Sequence, residues 1–408
     1  MAITIQSSPA PYSSMHDDLW YVSSSTNVGQ TAFKFVYDVY VNGAQVSRTK
    51  VYPSPSAEGS YGIFNASPMV RAYVTNYFEP SGSSILVSSN DKIKVNSTIQ
   101  VGEEYVSGGN LLTNAGLVSG ALSAYNYYPP LFADILFVNN NTPLVLSDYY
   151  DNLLIENFTD DWLTERDLDN ITIEYGDNFY ATYFKVTAGS YSAWVEAVNE
   201  SGAVIDTASG NITFAGEMNL FNCQAGHINT FAGRTLITED TYGYNVYLKR
   251  GVAISRKLQF KQKCYPKYKQ YNLHFLNRLG GWDTMKFALV NKRSTEVERA
   301  SYRRNDWQLS GNTMTNIDAY NKYNETTLNY AIQHKDRFHL ISDWVSQQDY
   351  EWLAQLFAST ITYMEVQGAY FPVTISSTNY EYKLESSDKL FNFEIDIEVG
   401  KYITSQFR

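Results

Sequence analysis

Five histidines, two cysteines and a run of aspartates are the side chains of this 408-residue chain that could hold a metal or move a proton. His334 and His339 are the closest pair of histidines. Their spacing of five residues sets them on opposite faces of a strand and off a common helical face, so they do not make the paired ligands of a zinc helix. His274 alternates with Leu273 and Phe275 and is expected to satisfy a hydrogen bond on the polar side of its strand. Cys223 and Cys264 lack C-x-x-C spacing and are expected as buried, reduced thiols. Residues 148–177 hold ten acidic groups against one basic group, Arg166. Asp160-Asp161 and Asp167-Leu168-Asp169 carry calcium-type ligands, but the central glycine and terminal glutamate of an EF-hand loop are missing, so a solvated acidic surface is expected.

Between Lys249 and Lys269 lie eight basic residues, including Arg256, Lys257, Lys261 and Lys263, interleaved with Tyr265 and Tyr268. Such a mixture can track a nucleic-acid backbone. The alternation of Lys261 and Lys263 with Phe260 and Gln262 also fits the exposed face of a strand, which is the expectation. No G-x-S-x-G elbow, G-x-G-x-x-G fingerprint or H-E-x-x-H helix occurs. Gly400-Lys401 is followed by Tyr402 and does not end a phosphate-binding loop. No catalytic, cofactor-binding or metal-ligating residue is assigned, no cofactor is implied, and no enzymatic activity is expected. The paired carboxylates of a glycosidase would leave no sequence signature. Trp20, Trp194 and Trp282 are candidate platforms for stacking sugars.

The elements around these residues are mostly strands. Phe33, Phe35, Tyr37, Val39 and Val41 alternate with other residues, and Asn42-Gly43 supplies a type I′ turn signal. Ser67-Pro68 reads as the start of a short helix reaching about Tyr77. From Tyr105 to Ala133 no residue is charged, and Gly108, Gly109, Gly116, Gly120 and Pro129-Pro130 interrupt the stretch, which predicts a long loop or arm. Tyr183 to Thr187 and Trp194 to Val198 alternate as strands, with a turn at Asn199-Glu200-Ser201-Gly202. Tyr271, Leu273 and Phe275 and then Met285, Phe287 and Leu289 form two alternating runs around Gly280-Gly281, a hairpin. Ser346 and Asp349 form an S-x-x-D capping pattern, with Val345 and Tyr350 as a hydrophobic staple. Tyr350, Leu353, Leu356 and Phe357 then share a helical face. Phe371–Ile375, Tyr380–Leu384 and Phe391–Val399 read as strands, the last buried on one side. The expected fold is mainly β: two or three antiparallel β-sandwich or barrel domains with a few short helices. The expected divisions are an N-terminal β domain over 1–104, a central region with the acidic segment and a β-sandwich over 105–255, and a C-terminal β domain over 256–408 with one capped helix at 347–358.

Hydrophobic residues make up 44% and charged residues 18%, a balance that excludes a disordered chain and a membrane-spanning one. The 34 tyrosines suit strands and interfaces alike. The N-terminal sequence has no basic region ahead of an apolar run, so no secretory signal is expected, and assembly in a reducing cytoplasm follows. The net charge of −11 is uneven: residues 1–248 carry −16 and residues 249–408 carry +5. Opposite halves could attract between copies, or an acidic face could line a conduit along which DNA slides.

The segment Phe275-Leu276-Asn277-x-x-Gly280-Gly281-x-Asp283 resembles the "FLNxxGGxD" hairpin of structural proteins from tailed bacteriophages, especially those of Bacteroidota hosts. "SDWVSQQDYEWLAQLFAS", "YFPVTI", "YEYKLESSDKLFNFEIDIEV" and the final "QFR" extend the resemblance over roughly 256–408, and "FKFVYDVYVNG…VYPSPS" adds a looser likeness near the N-terminus. The resemblance implies a virion protein, assembled in the bacterial host cytoplasm, that forms a homo-oligomeric ring or connector of tail, neck or baseplate. Its partners would be other tail and neck proteins, with genomic DNA close by and no stable membrane insertion. The alternative is a tail module that binds a host-surface glycan. A hydrolase of cell-surface polymer is the third class.

Overall fold

The computed structural model describes the chain outside residues 1–2, 10–11, 15–17, 58, 75–77, 79, 90–93, 126–160, 186–187, 264–267, 304–307, 311, 316–326, 378–389, 401–402 and 408. The fold is mainly β with several antiparallel sheets, as the strand periodicities require. The chain divides into two compact units. The first comprises Met1–Tyr265, Phe275–Thr284 and Trp352–Thr360; the second comprises Pro266–His274, Met285–Glu351 and Ile361–Arg408.

Two sandwiches make up most of the first unit. One packs β1 (Ile3–Ser7), β3 (Trp20–Ser25), β7 (Gly59–Asn65) and β6 (Ser54–Ser56) against β2 (Tyr12–Ser14), β10 (Asn110–Tyr125), β9 (Lys94–Ser107), β4 (Thr31–Val41) and β5 (Ala44–Val51), each sheet in that order. Phe33, Phe35, Tyr37, Val39 and Val41 bury the alternating face of β4 against Tyr21 and Phe64. Asn42 and Gly43 take φ of +50° and +82°, and Val41 lies opposite Ala44, so this pair makes the expected two-residue reversal.

The residues expected as a loop or arm over 105–133 are strand as far as Tyr125, and the remainder lies outside the described residues. Gly108 and Gly109, which read as breakers, hold φ of +59° and +83° in a tight turn that returns β9 as β10. The expected boundary after residue 104 therefore falls inside β9. The short helix α1 (Ser67–Arg71) is capped by Ala66 without a side-chain bond, one position before the expected Ser67, and is shorter than expected.

The second sandwich faces β11 (Asp161–Trp162), β13 (Tyr180–Phe184), β16 (Met218–Asn222) and β8 (Leu86–Ser89) against a sheet of β12 (Ile171–Ile173), β19 (Leu258–Gln262), β17 (Gly243–Arg250), β14 (Tyr191–Val198) and β15 (Val204–Ile212). The short β18 (Ala253–Ile254) pairs with β17. Trp162, Tyr183, Phe221, Tyr244 and Phe260 fill the core, with Trp162 edge-on to Phe221 at 5.2 Å. All five residues of β13 are buried, so the expected alternation from Tyr183 gives way to a strand covered on both faces. Helix α2 (Ala225–Ala232) ends on Gly233 at φ +64°.

The second unit is built on a sheet of order β21 (Trp282–Phe287), β20 (Tyr271–Leu276), β27 (Thr362–Val366), β28 (Ala369–Ile375), β30 (Glu394–Val399), β25 (Thr327–Ile341) and β22 (Lys292–Arg303), with β31 (Ile403–Phe407) beside β25. The turn end of β20 and β21 belongs to the first unit. Phe393, Ile395 and Ile397 are buried while Glu394 and Asp396 are exposed, the one-sided pattern expected of the last strand run. β22 is exposed along almost its whole length and forms a ribbon with β25, cross-linked by Arg293–Asp336 and Arg337–Glu296. Two small pairs, β23 (Gln308–Ser310) with β24 (Thr313–Thr315) and β26 (Val345–Ser346) with β29 (Leu390–Phe391), complete the strands. Helix α3 (Gln347–Ala358) has the predicted bounds, and Ser346 Oγ accepts the Asp349 N–H at 3.1 Å.

Candidate functional site

The turn between β20 and β21 gathers a buried polar network in the first unit. Gly280 adopts φ +82°. Gly281 is required for a different reason: a Cβ there would lie 2.4 Å from the Leu163 carbonyl oxygen and 2.8 Å from the Leu163 Cβ. Asn277 closes the turn. Its side-chain oxygen accepts the Leu279 and Gly281 N–H groups at 3.0 and 2.9 Å. Its side-chain NH2 donates to the Leu163 carbonyl at 2.6 Å and to Asp283 Oδ2 at 3.0 Å. Both donors and both acceptor positions of this fully buried amide are occupied, and only an asparagine supplies that set at this length.

Asp283 is the charged centre of the network. Its Oδ2 accepts from Asn277, from Thr164 Oγ1 at 3.1 Å and from Trp352 Nε1 at 2.8 Å. Burial pushes its carboxyl up to about 6, and the three donors together with the Arg166 charge limit the rise. The Arg166 guanidinium donates to the Thr284 carbonyl at 2.7 Å and lies over the rings of Trp352 and Phe179. The backbone on either side is fixed as well: the Trp282 N–H donates to Thr182 Oγ1 and the Tyr180 N–H to Thr284 Oγ1. At the turn's outer corner Glu165 accepts from Arg278 and from Gln355 Nε2, and Gln355 Oε1 accepts the Arg278 backbone N–H.

This arrangement fixes shape. Asp283 is buried, and its Oδ2 is turned onto three protein donors, which commits that oxygen to the turn. The asparagine, glycines and aspartate of the hairpin motif stand out in the sequence, but their partners do not. Thr164, Arg166, Trp352 and Gln355 reach the turn from segments more than sixty residues away, and none has a local signature.

The other sequence candidates are dispersed. His274 is buried on both sides, not on a polar face; its Nε2 lies 3.1 Å from Glu365, and burial lowers its proton affinity despite that carboxylate. His339 Nδ1 lies 2.8 Å from Asp396, whereas His334 stands opposite Val297 on the other face of β25. Among the described residues no three His, Cys, Asp or Glu side chains form a metal-sized cluster. Cys223 is free and buried, and burial pushes its thiol up; Cys264 lies outside the described residues. The acidic and basic segments meet each other within the first unit, where Arg256 pairs with Asp161 and Lys261 donates to the Asn170 amide oxygen, while Lys257 pairs with Glu196 outside the acidic segment. Asp169, read as a calcium-type ligand, accepts instead from Gln259. Trp282 is buried, and the Lys249 ammonium sits 3.7 Å over the ring of Trp194, so neither offers an open stacking face; Trp20 is 47% exposed.

No protein-family model matches the chain, and no curated protein matches it. Similar solved structures include the full extracellular region of plexin A4 (10% identity, TM-score 0.20, 64% of this chain and 24% of that one). The chicken CNTN1 FN1–FN3 domains align with 8% identity and TM-score 0.17 over 64% of this chain and 67% of that one. A DUF4784 family protein from Bacteroides caccae aligns with 9% identity and TM-score 0.16 over 59% of this chain and 52% of that one. The chain thus spans about a quarter of the plexin region, and at these TM-scores the likenesses carry no functional argument.

Proposed function

We propose that this chain is an architectural subunit of a tailed-bacteriophage virion, forming a ring or connector of the tail or neck around the DNA path through head-to-tail contacts between copies. The observation that carries this reading is the hairpin turn. The residues by which the chain resembles phage structural proteins, Asn277, Gly280, Gly281 and Asp283, all serve to hold a backbone shape. A motif whose polar groups are turned inward onto one another suits a scaffold, because a catalytic or ligand site must leave some of them facing outward. The mechanism of such a subunit is geometric: two unlike surfaces on each copy close into a ring. The exposed ribbon of β22 and β25 is one surface available for such a contact. In this reading the chain performs no catalysis.

The exposed ring of Trp20 favours a second reading, a host-glycan module of the tail. Electron microscopy of the purified protein, with labelled virions alongside, separates the two. Closed rings or label at the neck or tail tube support the architectural subunit. Monomers with label at the fibre tips overturn it in favour of the host-binding module.

A further inference from the structure

We infer that a groove of about 550 Å³ in the first unit, walled by Lys94, Glu217, Lys185, Phe214 and Asn42, is a subsite for an acidic saccharide. This goes beyond the architectural reading and does not rest on it. Its volume falls within the range of small-ligand sites. Four separate chain segments build it, and each is held by the backbone. Asn42 sits in the left-handed region at φ +50°, with its N–H donating to the Asn96 carbonyl at 2.8 Å. The Lys185 N–H donates to the Glu217 carbonyl at 2.7 Å, which sets the two side chains next to each other. Ala215 and Gly216 line it without filling it.

The charged groups define the ligand. Lys94 Nζ and Glu217 Oε2 are 2.5 Å apart and place a strong donor beside a strong acceptor. That pairing matches neighbouring sugar hydroxyls, each of which donates and accepts. The Lys185 ammonium lies 5.8 Å from the ring centres of Phe214 and Tyr191 and makes no ion pair among the described residues, which leaves it for a ligand carboxylate. With Lys94 and Glu217 neutralising one another, the charged lining carries one net positive charge, that of Lys185, which matches a single carboxylate better than the dianion of phosphate. A polyol with a single carboxylate per ring, a uronic-acid saccharide, fits both requirements.

The test is titration of the full chain with digalacturonic acid, followed by calorimetry or by ligand NMR, with lactose and inorganic phosphate as controls. Saturable binding of digalacturonic acid, weaker by roughly tenfold in Lys185→Ala and retained in Lys185→Arg, supports the subsite. A circular-dichroism melt confirms that both variants are folded. No saturable binding, binding unchanged in a folded Lys185→Ala variant, or equal binding of phosphate overturns it. Ring formation seen by microscopy is independent of all these outcomes, so failure of the groove and failure of the architectural reading are separately visible.

Discussion

Replacing Asp283 by asparagine should remove the pH dependence that this side chain gives to folding. In the folded protein its carboxyl titrates at about 6, against 3.8 for an ordinary aspartate. The folded state therefore holds this proton more tightly than the unfolded state. Its contribution to stability is fully present below pH 3.8 and is lost as the pH rises through 6. The difference, at 1.36 kcal/mol per pH unit, is about 3 kcal/mol, equivalent to roughly a hundredfold in an opening equilibrium. Asparagine has the same shape, its carbonyl can receive the Trp352, Asn277 and Thr164 donors, and it does not ionise. The stability of the variant minus that of the native protein should therefore rise by about 3 kcal/mol from below pH 3 to above pH 7, with its midpoint halfway between 3.8 and 6, near pH 5. Chemical denaturation at matched pH values reads the global effect. Hydrogen exchange of the Leu279 and Gly281 amides, compared between the proteins at each pH, reads local opening, because both donate to Asn277. A flat difference would refute the desolvation argument. A difference of the opposite sign would mean that the three donors and Arg166 hold the carboxylate ionised more strongly than burial opposes it.

Two further outcomes are expected. Gly281→Ala, which forces a Cβ onto the Leu163 carbonyl, should cost about 2–3 kcal/mol in denaturant unfolding, whereas Gly43→Ala, where the Cβ meets open space, should cost only about 1 kcal/mol of backbone strain; equal costs would refute the close-approach reading. Ser346→Ala should lower stability by about 1 kcal/mol through loss of the bond to the Asp349 N–H, with hydrogen exchange of the first turn of α3 as the check.

Local chemistry was legible in the sequence where it is self-contained. The two-residue turn at Asn42-Gly43, the cap at Ser346 and the one-sided final strand each depend on residues a few positions apart, and each is present. The misreadings have a common origin in distant pairing. Residues 110–125 carry no charge alternation; their strand character comes from pairing along β9, with β2 beside their last residues. β13 lost its expected alternation because it is covered on both faces. The hairpin of residues 271–289 was visible as a turn, but the reason for its asparagine and aspartate was not. That reason lies in Leu163, Thr164 and Trp352, which no periodicity connects to it. The opposite charges of the acidic and basic segments were visible too, and part of that attraction is used inside one chain at Arg256–Asp161.

The path of β8 has a consequence for how the chain comes off the ribosome. Residues 86–89 pair with Asn219–Phe221 of the second sandwich, while the strands on either side of them in sequence, β7 and β9, belong to the first. When residues 94–125 have emerged and the first sandwich can close, β8 is already looped out of it with no partner yet synthesised. Its edge must wait for the stretch from 126 to Asn219–Phe221, and a strand left open for that long is an aggregation hazard that only prompt synthesis or a chaperone can cover. The two sandwiches are therefore stitched into one folding event and are not separable modules: a fragment ending near residue 125 would carry an orphan strand, and one beginning after it would lack an edge.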